Sequence, residues 1–284
     1  GLMLGAIYII IAIAFSLVYG VMHVIDFAVG EWIMFGAFAG FYLSRATGLD
    51  PLALLPVVFV AFAALGYLFQ PVLQRVLSGR RGNPLLMALV FTFGLSLMFR
   101  GIAQTAFGFY SLSTPSRLSN GSFFFEKGSL FLTVSHVRLA GLVYAAALTG
   151  GLQYLLKHTD FGLGVRALAQ HKDAAGLMGV NAKRTSGIVY ALYVGISGMT
   201  GVLIGTILSV SAKMGPEYTI FAFFVVVLAG MGYLAGVPAA AILLGLIQSV
   251  FLIYLDPGYT LLAVFGILYL ILLVSPTGLF RRGV

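Results

Sequence analysis

The sequence contains no cysteine and few charged residues. Without cysteine there are no disulfides, no thiolate metal sites and no cysteine nucleophile, and the redox compartment is left open. Charged residues make up 8% of the 284 residues, whereas a soluble domain carries about a quarter. So few charges cannot form a water-facing surface. We therefore predict one all-α transmembrane domain over residues 1–284, in which the lipid bilayer takes the place of a polar exterior.

Catalytic and nucleotide-binding patterns are also missing. A Walker A loop needs Gly-Lys followed by Ser or Thr to cradle phosphates, and the chain has no Gly-Lys pair. His136, His158 and His171 lack the spacing of metal ligands, and no nucleophile and base occur at a workable spacing. We expect no catalytic residue, no metal and no cofactor bound by this chain.

The positive net charge does not indicate nucleic-acid binding. The formal charge is +8, but the basic residues stand singly or in pairs between apolar runs, without a basic stripe interleaved with aromatics. Because the first residue is Gly1 rather than methionine, we expect some upstream residues to be missing, and the rest shows no cleavable signal.

Long apolar segments dominate the chain, and a membrane span needs about 20 mainly apolar residues. Nine segments qualify: 2–21, 27–44, 51–70, 84–107, 137–156, 185–210, 218–231, 237–254 and 259–275. One helix over residues 2–44 would be about 64 Å long. The polar break from His23 to Asp26 must therefore separate two spans, or a span and a re-entrant half helix. We predict a polytopic helical bundle with eight to nine spans.

The distribution of Lys and Arg predicts the orientation, because cytoplasmic loops hold the excess. One set of loops carries ten of them: Arg75, Arg80, Arg81, Lys157, Arg166, Lys172, Lys183, Arg184, Arg281 and Arg282. The opposite set carries five: Arg45, Arg117, Lys127, Arg138 and Lys213. We expect residues 71–83, residues 157–184 and the C-terminus to be cytoplasmic, and residues 108–136 to lie outside. Arg100, near the outer end of its span, is expected to reach toward the lipid headgroups.

Two interrupted segments are candidates for lining a pathway. The first places His23, Asp26, Phe27, Gly30 and Glu31 between apolar runs, and ionisable groups in a bilayer normally face protein or a watery cavity. The alternative is an ordinary interfacial loop whose acids are hydrated, with Asp26 capping the following helix.

The second interrupted segment is a run of small residues that ends in Pro238 and should not stay helical. Its candidate pathway residues are Gly230, Gly232, Tyr233 and Gly236. Aligning the two segments places Phe27 with Tyr233 and Gly30 with Gly236, which is a weak internal repeat. Interrupted segments in corresponding halves are typical of transport pathways. Elsewhere, glycines four residues apart, such as Gly36 and Gly40, predict close helix packing in lipid.

The loop over residues 157–184 predicts a short amphipathic helix from about Val165 to Met178, because its apolar positions are helically spaced. Part of it resembles the conserved Glu-Ala-Ala-x-x-x-Gly loop of ABC importer permeases, which implies a coupling helix that docks on an ATPase subunit. An ordinary interfacial helix is the alternative. The candidate coupling residues are Arg166, Asp173, Ala174, Ala175, Met178, Gly179 and Asn181.

The chain as a whole resembles the branched-chain amino acid permeases of the LivH type. The segments that carry this resemblance run nearly end to end in the right order: 1–8, 19–22, 25–31, 162–166, 230–232 and 276–280. Three positions depart from the family, which commonly has Asn, His and Gly where Asp26, Val29 and Ala229 stand.

This resemblance implies a permease subunit of an ATP-driven ABC importer in the bacterial inner membrane, working by alternating access on branched-chain or related neutral amino acids. Relatives also move urea and amides. It further implies two ATP-binding cassette subunits that hold ATP and Mg, a second homologous permease and an external substrate-binding protein. The residues leave one alternative open, an ion-coupled secondary transporter of small polar solutes in which Asp26 and Glu31 carry the ion.

Overall fold

The computed structural model describes residues 1–77, 84–114, 116–127, 130–254, 257–275 and 278–280. These residues form eleven α-helices and one short antiparallel hairpin, which confirms the predicted helical bundle and adds two strands to it. The helices are α1 (Leu2–Met22), α2 (Val29–Thr47), α3 (Leu55–Leu77), α4 (Pro84–Phe107), α5 (His136–His158), α6 (Asp160–Gln170), α7 (Lys172–Leu177), α8 (Ala182–Ile207), α9 (Gly215–Ala229), α10 (Val237–Tyr254) and α11 (Pro257–Val274). The strands are β1 (Ser122–Lys127) and β2 (Leu130–Ser135).

Within the described ranges, each of the nine predicted segments overlaps one helix. In the part of the chain that the structure describes, six helical stretches are long and apolar enough to cross a membrane: Leu2–Met22, Pro51–Val76, Leu85–Phe107, His136–His158, Ala182–Ile207 and Leu234–Tyr254. Shorter apolar stretches follow at Gly215–Ala229, which is α9, and at Leu262–Ile271, which is part of the 18-residue α11.

Two helices form the centre of the bundle. In the most apolar window of α1 and of α8, 72% and 78% of the residues are buried, against 22% in α3, α4 and α5. The outer helices expose large apolar side chains, such as Leu68 at 72% and Val90 at 67%. Such surfaces match lipid rather than water.

Glycine allows α2 and α8 to approach closely, as the spacing predicted. A Cβ atom added at Gly36 would overlap the carbonyl oxygen of Gly198, and one added at Gly201 would overlap that of Ile33. In lipid, where no hydrophobic force drives helices together, such contacts supply much of the packing energy.

Asp50 ties the loop after α2 to the segment before the hairpin. Its carboxylate accepts hydrogen bonds from the Ser116 hydroxyl at 2.8 Å and from the Arg117 backbone N–H at 2.8 Å. It also accepts one from the Leu52 N–H at 2.9 Å. Although burial alone would raise the pKa of Asp50, these hydrogen bonds lower it below its ordinary value.

Candidate functional site

The first predicted break is present between α1 and α2. Helix α1 ends at Met22, and His23 adopts a left-handed backbone with φ of 53°, while its N–H donates to the Tyr19 carbonyl at 2.9 Å. Helix α2 begins at Val29, so residues 23–28 are irregular. His23 itself is exposed at the end of α1.

Asp26 is fully buried and fixes this break. Its Oδ1 accepts a hydrogen bond from the Ala28 N–H at 2.8 Å, and the Tyr190 hydroxyl of α8 donates to its Oδ2 at 2.9 Å. Its exposed fraction is 0%, so the interpretation of this segment as a hydrated interfacial loop is wrong. Asp26 does not cap α2 either, because the N-cap residue of that helix is Ala28 and it receives no side-chain cap; Asp26 holds the turn that precedes the helix.

Two threonines that the sequence did not single out satisfy the backbone of the break. The Thr92 hydroxyl of α4 donates to the Ile25 carbonyl at 3.1 Å and accepts from the Phe27 N–H at 3.2 Å. The Thr219 hydroxyl of α9 accepts from the Gly30 N–H at 3.0 Å. Irregular backbone is tolerated at membrane depth when its N–H and C=O groups are hydrogen-bonded by other protein groups in this way. The signal that could have identified these two residues in the sequence is a hydroxyl side chain within an otherwise apolar helix.

The irregular residues 23–28 run from the end of α1 back into the interior of the bundle, where α2 begins. Gly30 lies against Gly215 at the start of α9, where any Cβ would overlap the Gly215 carbonyl. Gly20 lies against Gly232, just beyond the other end of α9. Helix α9 has 15 residues and is about 22 Å long. Since Gly20 and Gly30 lie near its two ends, the chain between them runs roughly 22 Å along α9. This agrees with a re-entrant entry to α2.

The second predicted break is also present. Helix α9 ends at Ala229, and the chain passes through a turn and a short 3-10 segment (Leu234–Gly236) before α10. Gly230 and Gly232 have φ of 93° and 83°, values that favour glycine. Gly278 packs on Gly230, where an added Cβ would lie 2.6 Å from the Gly230 nitrogen. The C-terminal segment therefore supports this break.

The two breaks correspond only loosely. Gly30 lies in the first turn of α2, whereas Gly236 ends the 3-10 segment one residue before α10. Phe27 and Tyr233 each precede the helix that follows the break, and Tyr233 is 43% exposed. Whether any of these residues contacts a transported substrate stays a prediction.

Glu31 and Arg100 form an ion pair that the sequence did not predict. Arg100 Nη2 of α4 lies 3.6 Å from Glu31 Oε1 in the first turn of α2. The Glu31 side chain is 0% exposed and that of Arg100 is 31% exposed. The expectation that Arg100 only reaches toward headgroups is therefore wrong, because the buried acid gives its charge a nearer partner.

The loop over residues 157–184 differs from the predicted single helix over residues 165–178. It consists of two helices, α6 and α7, interrupted at His171, whose backbone is extended at φ −147° and ψ 105°. Helix α6 starts earlier than expected because Thr159 caps it, accepting from the Gly162 N–H at 3.0 Å. The Arg166 guanidinium donates to the Leu156 carbonyl of α5, which fixes α6 against the bundle.

The candidate coupling residues divide into anchors and an exposed tip. Ala175 is buried at 4%, and the Asn181 side chain accepts from the Arg184 N–H at 3.1 Å and so caps α8. Leu177 and Met178 are exposed at 90% and 86%, and the sequence did not single out Leu177. Ala174 and Gly179 are also exposed. The side chain of Asp173 lies outside the described residues.

A cavity of about 220 Å³ lies between the end of α1 and the junction of α6 and α7, and His23 is the predicted site residue that lines it. His23 lines it from the end of α1, and Gln170 and His171 line it from the junction of α6 and α7. Gln70 of α3 and Ser186 of α8 complete its polar wall. The first break and the end of α6 therefore share one polar space.

Comparison with known proteins gives consistent results over nearly the whole chain. The family model described as branched-chain amino acid transport system / permease component matches residues 1–274. The high-affinity branched-chain amino acid transport system permease protein LivH of Salmonella typhimurium is 28% identical over 99% of this chain and 94% of its own length. BraD of Pseudomonas aeruginosa, of the same description, is 26% identical over the same shares. A probable LivH of Methanocaldococcus jannaschii is 25% identical over 95% of this chain and 87% of its own length. No solved structure matches the chain.

Proposed function

Because the chain belongs to the family of branched-chain amino acid transport permease components, we propose that it is the membrane-spanning permease subunit of an ATP-driven importer. Its substrates are branched-chain or related neutral amino acids. An external binding protein delivers them, and this chain works beside a second, homologous permease in the bacterial inner membrane with its C-terminus in the cytoplasm.

The observation that carries the ATP-driven part of the proposal is the tip formed by Leu177 and Met178. Two large apolar side chains at 90% and 86% exposure sit next to Gly179, at the end of a six-residue helix. The end of a loop predicted to be cytoplasmic meets water, where such a pair is costly to expose. A groove in an ATPase subunit would cover it, as expected of a coupling helix. ATP and Mg then belong to that partner.

The anchoring of α6 and α7 suits them to transmit movement. Arg166 holds α6 to the last turn of α5, and Asn181 starts α8, whose Tyr190 holds Asp26. A push on the tip would reach the first break through α8. Alternating access would follow if the breaks change their packing when the ATPases close and hydrolysis resets them.

The ion-coupled alternative gains less support from the geometry. A coupling carboxylate must bind and release its ion within the membrane. Glu31 already has Arg100 as a counter-ion at 3.6 Å, and Asp26 is engaged by Ala28 and Tyr190. Both acids are better explained as fixed parts of the bundle than as ion carriers.

Co-purification tests the proposal. We expect an ATPase to copurify with the wild-type protein from gently solubilised membranes, and the variant Leu177→Glu to lose it. Burying a charge in an apolar groove should cost about 2 kcal/mol or more, or roughly 30-fold in affinity. The matched control is Leu49→Glu, at an apolar position after α2 that is 53% exposed. No ATPase with the wild-type protein, or equal amounts with Leu177→Glu, would contradict the proposal.

A further inference from the structure

A polar groove opens between α3 and α8, at the end of the bundle where the loop over residues 157–184 leads into α8. Its volume is about 390 Å³. A second space of about 250 Å³ adjoins it, since Pro71, Gln74 and Lys183 line both. Three cationic side chains line the two spaces, here together called the basic groove: Arg75 of α3, and Lys183 and Arg184 of α8. Cations from two helices therefore converge on one groove.

The spacing of residues along the two helices explains this convergence. On α3, Tyr67, Pro71 and Arg75 are four residues apart and so share one face. On α8, Lys183 and Gly187 are also four residues apart. The Tyr67 ring packs on Gly187, where an added Cβ would lie 3.0 Å from Tyr67 Cε2. The two faces therefore meet along the groove.

The positive charge of the basic groove is not compensated by nearby acids. Within the described ranges, none of its three cations forms an ion pair. Residues 51–125 and 174–216, which include both helices, contain no Asp or Glu. Lys183 and Arg184 also lie in the first turn of α8, where the helix dipole disfavours cations. An anion bound in the groove would offset this charge.

The groove also offers an uncharged hydrogen-bond donor. Gln70, which is 4% exposed, donates from Nε2 to Gln74 Oε1 at 2.9 Å. This contact fixes the Gln74 amide, whose NH₂ group has no acceptor among the residues that the structure describes. Arginine binds phosphate oxygens in a bidentate manner, and lysine adds a point charge. Together these donors suit a phosphate group.

The basic groove lies at the level where lipid headgroups meet the bundle. Arg75 lies in the last turn of the apolar stretch Pro51–Val76, and Lys183 in the first turn of Ala182–Ile207. Beside the groove, α3 exposes Leu68 at 72%, a surface that lipid covers. An anion with an apolar tail would use both surfaces, whereas a soluble anion would use only the cations.

We propose that the basic groove binds the headgroup phosphate of an anionic phospholipid. Arg75, Lys183 and Arg184 supply the positive charge, Gln74 donates a hydrogen bond, and the acyl chains lie along Tyr67 and the exposed face of α3. A charge bias that only sets the orientation of the chain would require neither a groove nor cations that converge from two helices. The site goes beyond the proposed function, because it involves neither the ATPase nor the transported amino acid.

Native mass spectrometry of the full chain, released from detergent with added lipid, tests the site. We expect phosphatidylglycerol to bind at least tenfold more tightly than phosphatidylcholine, because phosphatidylcholine carries the same phosphate but no net charge. Inorganic phosphate in about tenfold excess over the lipid should not displace phosphatidylglycerol, because it lacks the acyl chains whose burial adds to the affinity.

Two triple variants test the role of the three cations. The variant Arg75→Gln, Lys183→Gln, Arg184→Gln should bind phosphatidylglycerol at least tenfold more weakly, since each cation beside an anionic headgroup contributes about fivefold. The variant Arg75→Lys, Lys183→Arg, Arg184→Lys keeps the charge and should keep the preference for phosphatidylglycerol. All three side chains are exposed, so both variants should keep the wild-type melting temperature.

A matched control removes the same amount of charge elsewhere. The variant Arg45→Gln, Arg138→Gln, Lys213→Gln replaces three exposed cations that do not line the groove. It should bind phosphatidylglycerol as the wild type does, because the proposed site depends on position and not on net charge.

Four results would overturn the lipid site. They are equal binding of the two lipids to the wild-type protein, equal weakening in the glutamine variant of the groove and in the control, unchanged binding in that glutamine variant, and displacement of the lipid by inorganic phosphate. The last result would assign the groove to a free anion. If the glutamine variant bound lipid normally but lost a copurifying ATPase, the cations would belong to the ATPase contact instead. The lipid measurement uses this chain alone, so its failure is distinct from a failure of the proposed function.

Discussion

The substitution Asp26→Ala tests how the first break is held. It removes the acceptor of two buried donors, the Ala28 N–H at 2.8 Å and the Tyr190 hydroxyl at 2.9 Å. An unsatisfied buried donor costs about 1–3 kcal/mol, so the free energy of unfolding should fall by about 2–6 kcal/mol.

Two further variants test whether the loss of stability in Asp26→Ala comes from these two hydrogen bonds. In Asp26→Asn the amide oxygen can still accept from Ala28, and the amide NH₂ can donate to Tyr190, so the loss should stay near 1 kcal/mol. In Tyr190→Phe only one of the two contacts is lost, so the variant should fall between wild type and Asp26→Ala. Combining Tyr190→Phe with Asp26→Ala should cost less than the sum of the two, because both remove the same contact.

The assay is unfolding of the purified protein in mild detergent by titration with a denaturing detergent, followed by circular dichroism. The order Asp26→Ala, Tyr190→Phe, Asp26→Asn, wild type is expected for increasing stability. If Asp26→Ala were as stable as Asp26→Asn, the carboxylate would not fix the break, and the proposed route from α8 to the break would lose its basis.

Two other expectations concern packing and pH. Gly36→Ala should destabilise the bundle by about 1–3 kcal/mol, because the added Cβ would overlap the Gly198 carbonyl. Gly94→Ala, where an added Cβ has nothing within 4 Å, should leave the stability unchanged. Thermal unfolding compares the two variants, and equal stabilities would contradict the close contact. The lowered pKa of Asp50 adds stability at pH above its unfolded pKa of about 3.9, and this is lost as the pH falls through the lower folded pKa. Asp50→Asn should therefore lower the melting temperature at pH 7, by an amount that shrinks below about pH 4; a pH-independent difference would contradict this assignment.

The sequence predicted the membrane class, the helical segments and both breaks, because each rests on local composition. Apolar runs of span length mark helices, and glycine or proline interruptions mark the places where helices stop. The break at His23 and the end of α9 before Gly230 are both where the local pattern indicated.

Partnerships between distant residues could not be predicted in the same way. Glu31 and Arg100 are 69 positions apart, and their pairing depends on how α2 and α4 pack. Arg100 alone looks like a side chain that reaches for headgroups, and only a buried acid nearby changes that interpretation. The contacts of Thr92 and Thr219 with the first break could not be predicted either, because they also depend on how distant helices pack.

The structure of the loop over residues 157–184 was predicted in part. Its apolar spacing correctly placed Val165 and Leu168 on the buried face of α6. The interruption at His171 carries no glycine or proline, so no local signal marked it. The exposure of Leu177 also depends on how α7 is held by Ala175, which is tertiary information.

We propose above that ATP drives amino-acid transport through this chain. The most direct measurement is uptake of labelled leucine into proteoliposomes that contain the copurified complex and an external binding protein, with ATP supplied on the ATPase side. We expect uptake that requires ATP hydrolysis and persists when ionophores collapse the proton and sodium gradients. Uptake that continues without ATP and stops with the ionophores would exclude the ATP-driven mechanism and favour an ion-coupled transporter.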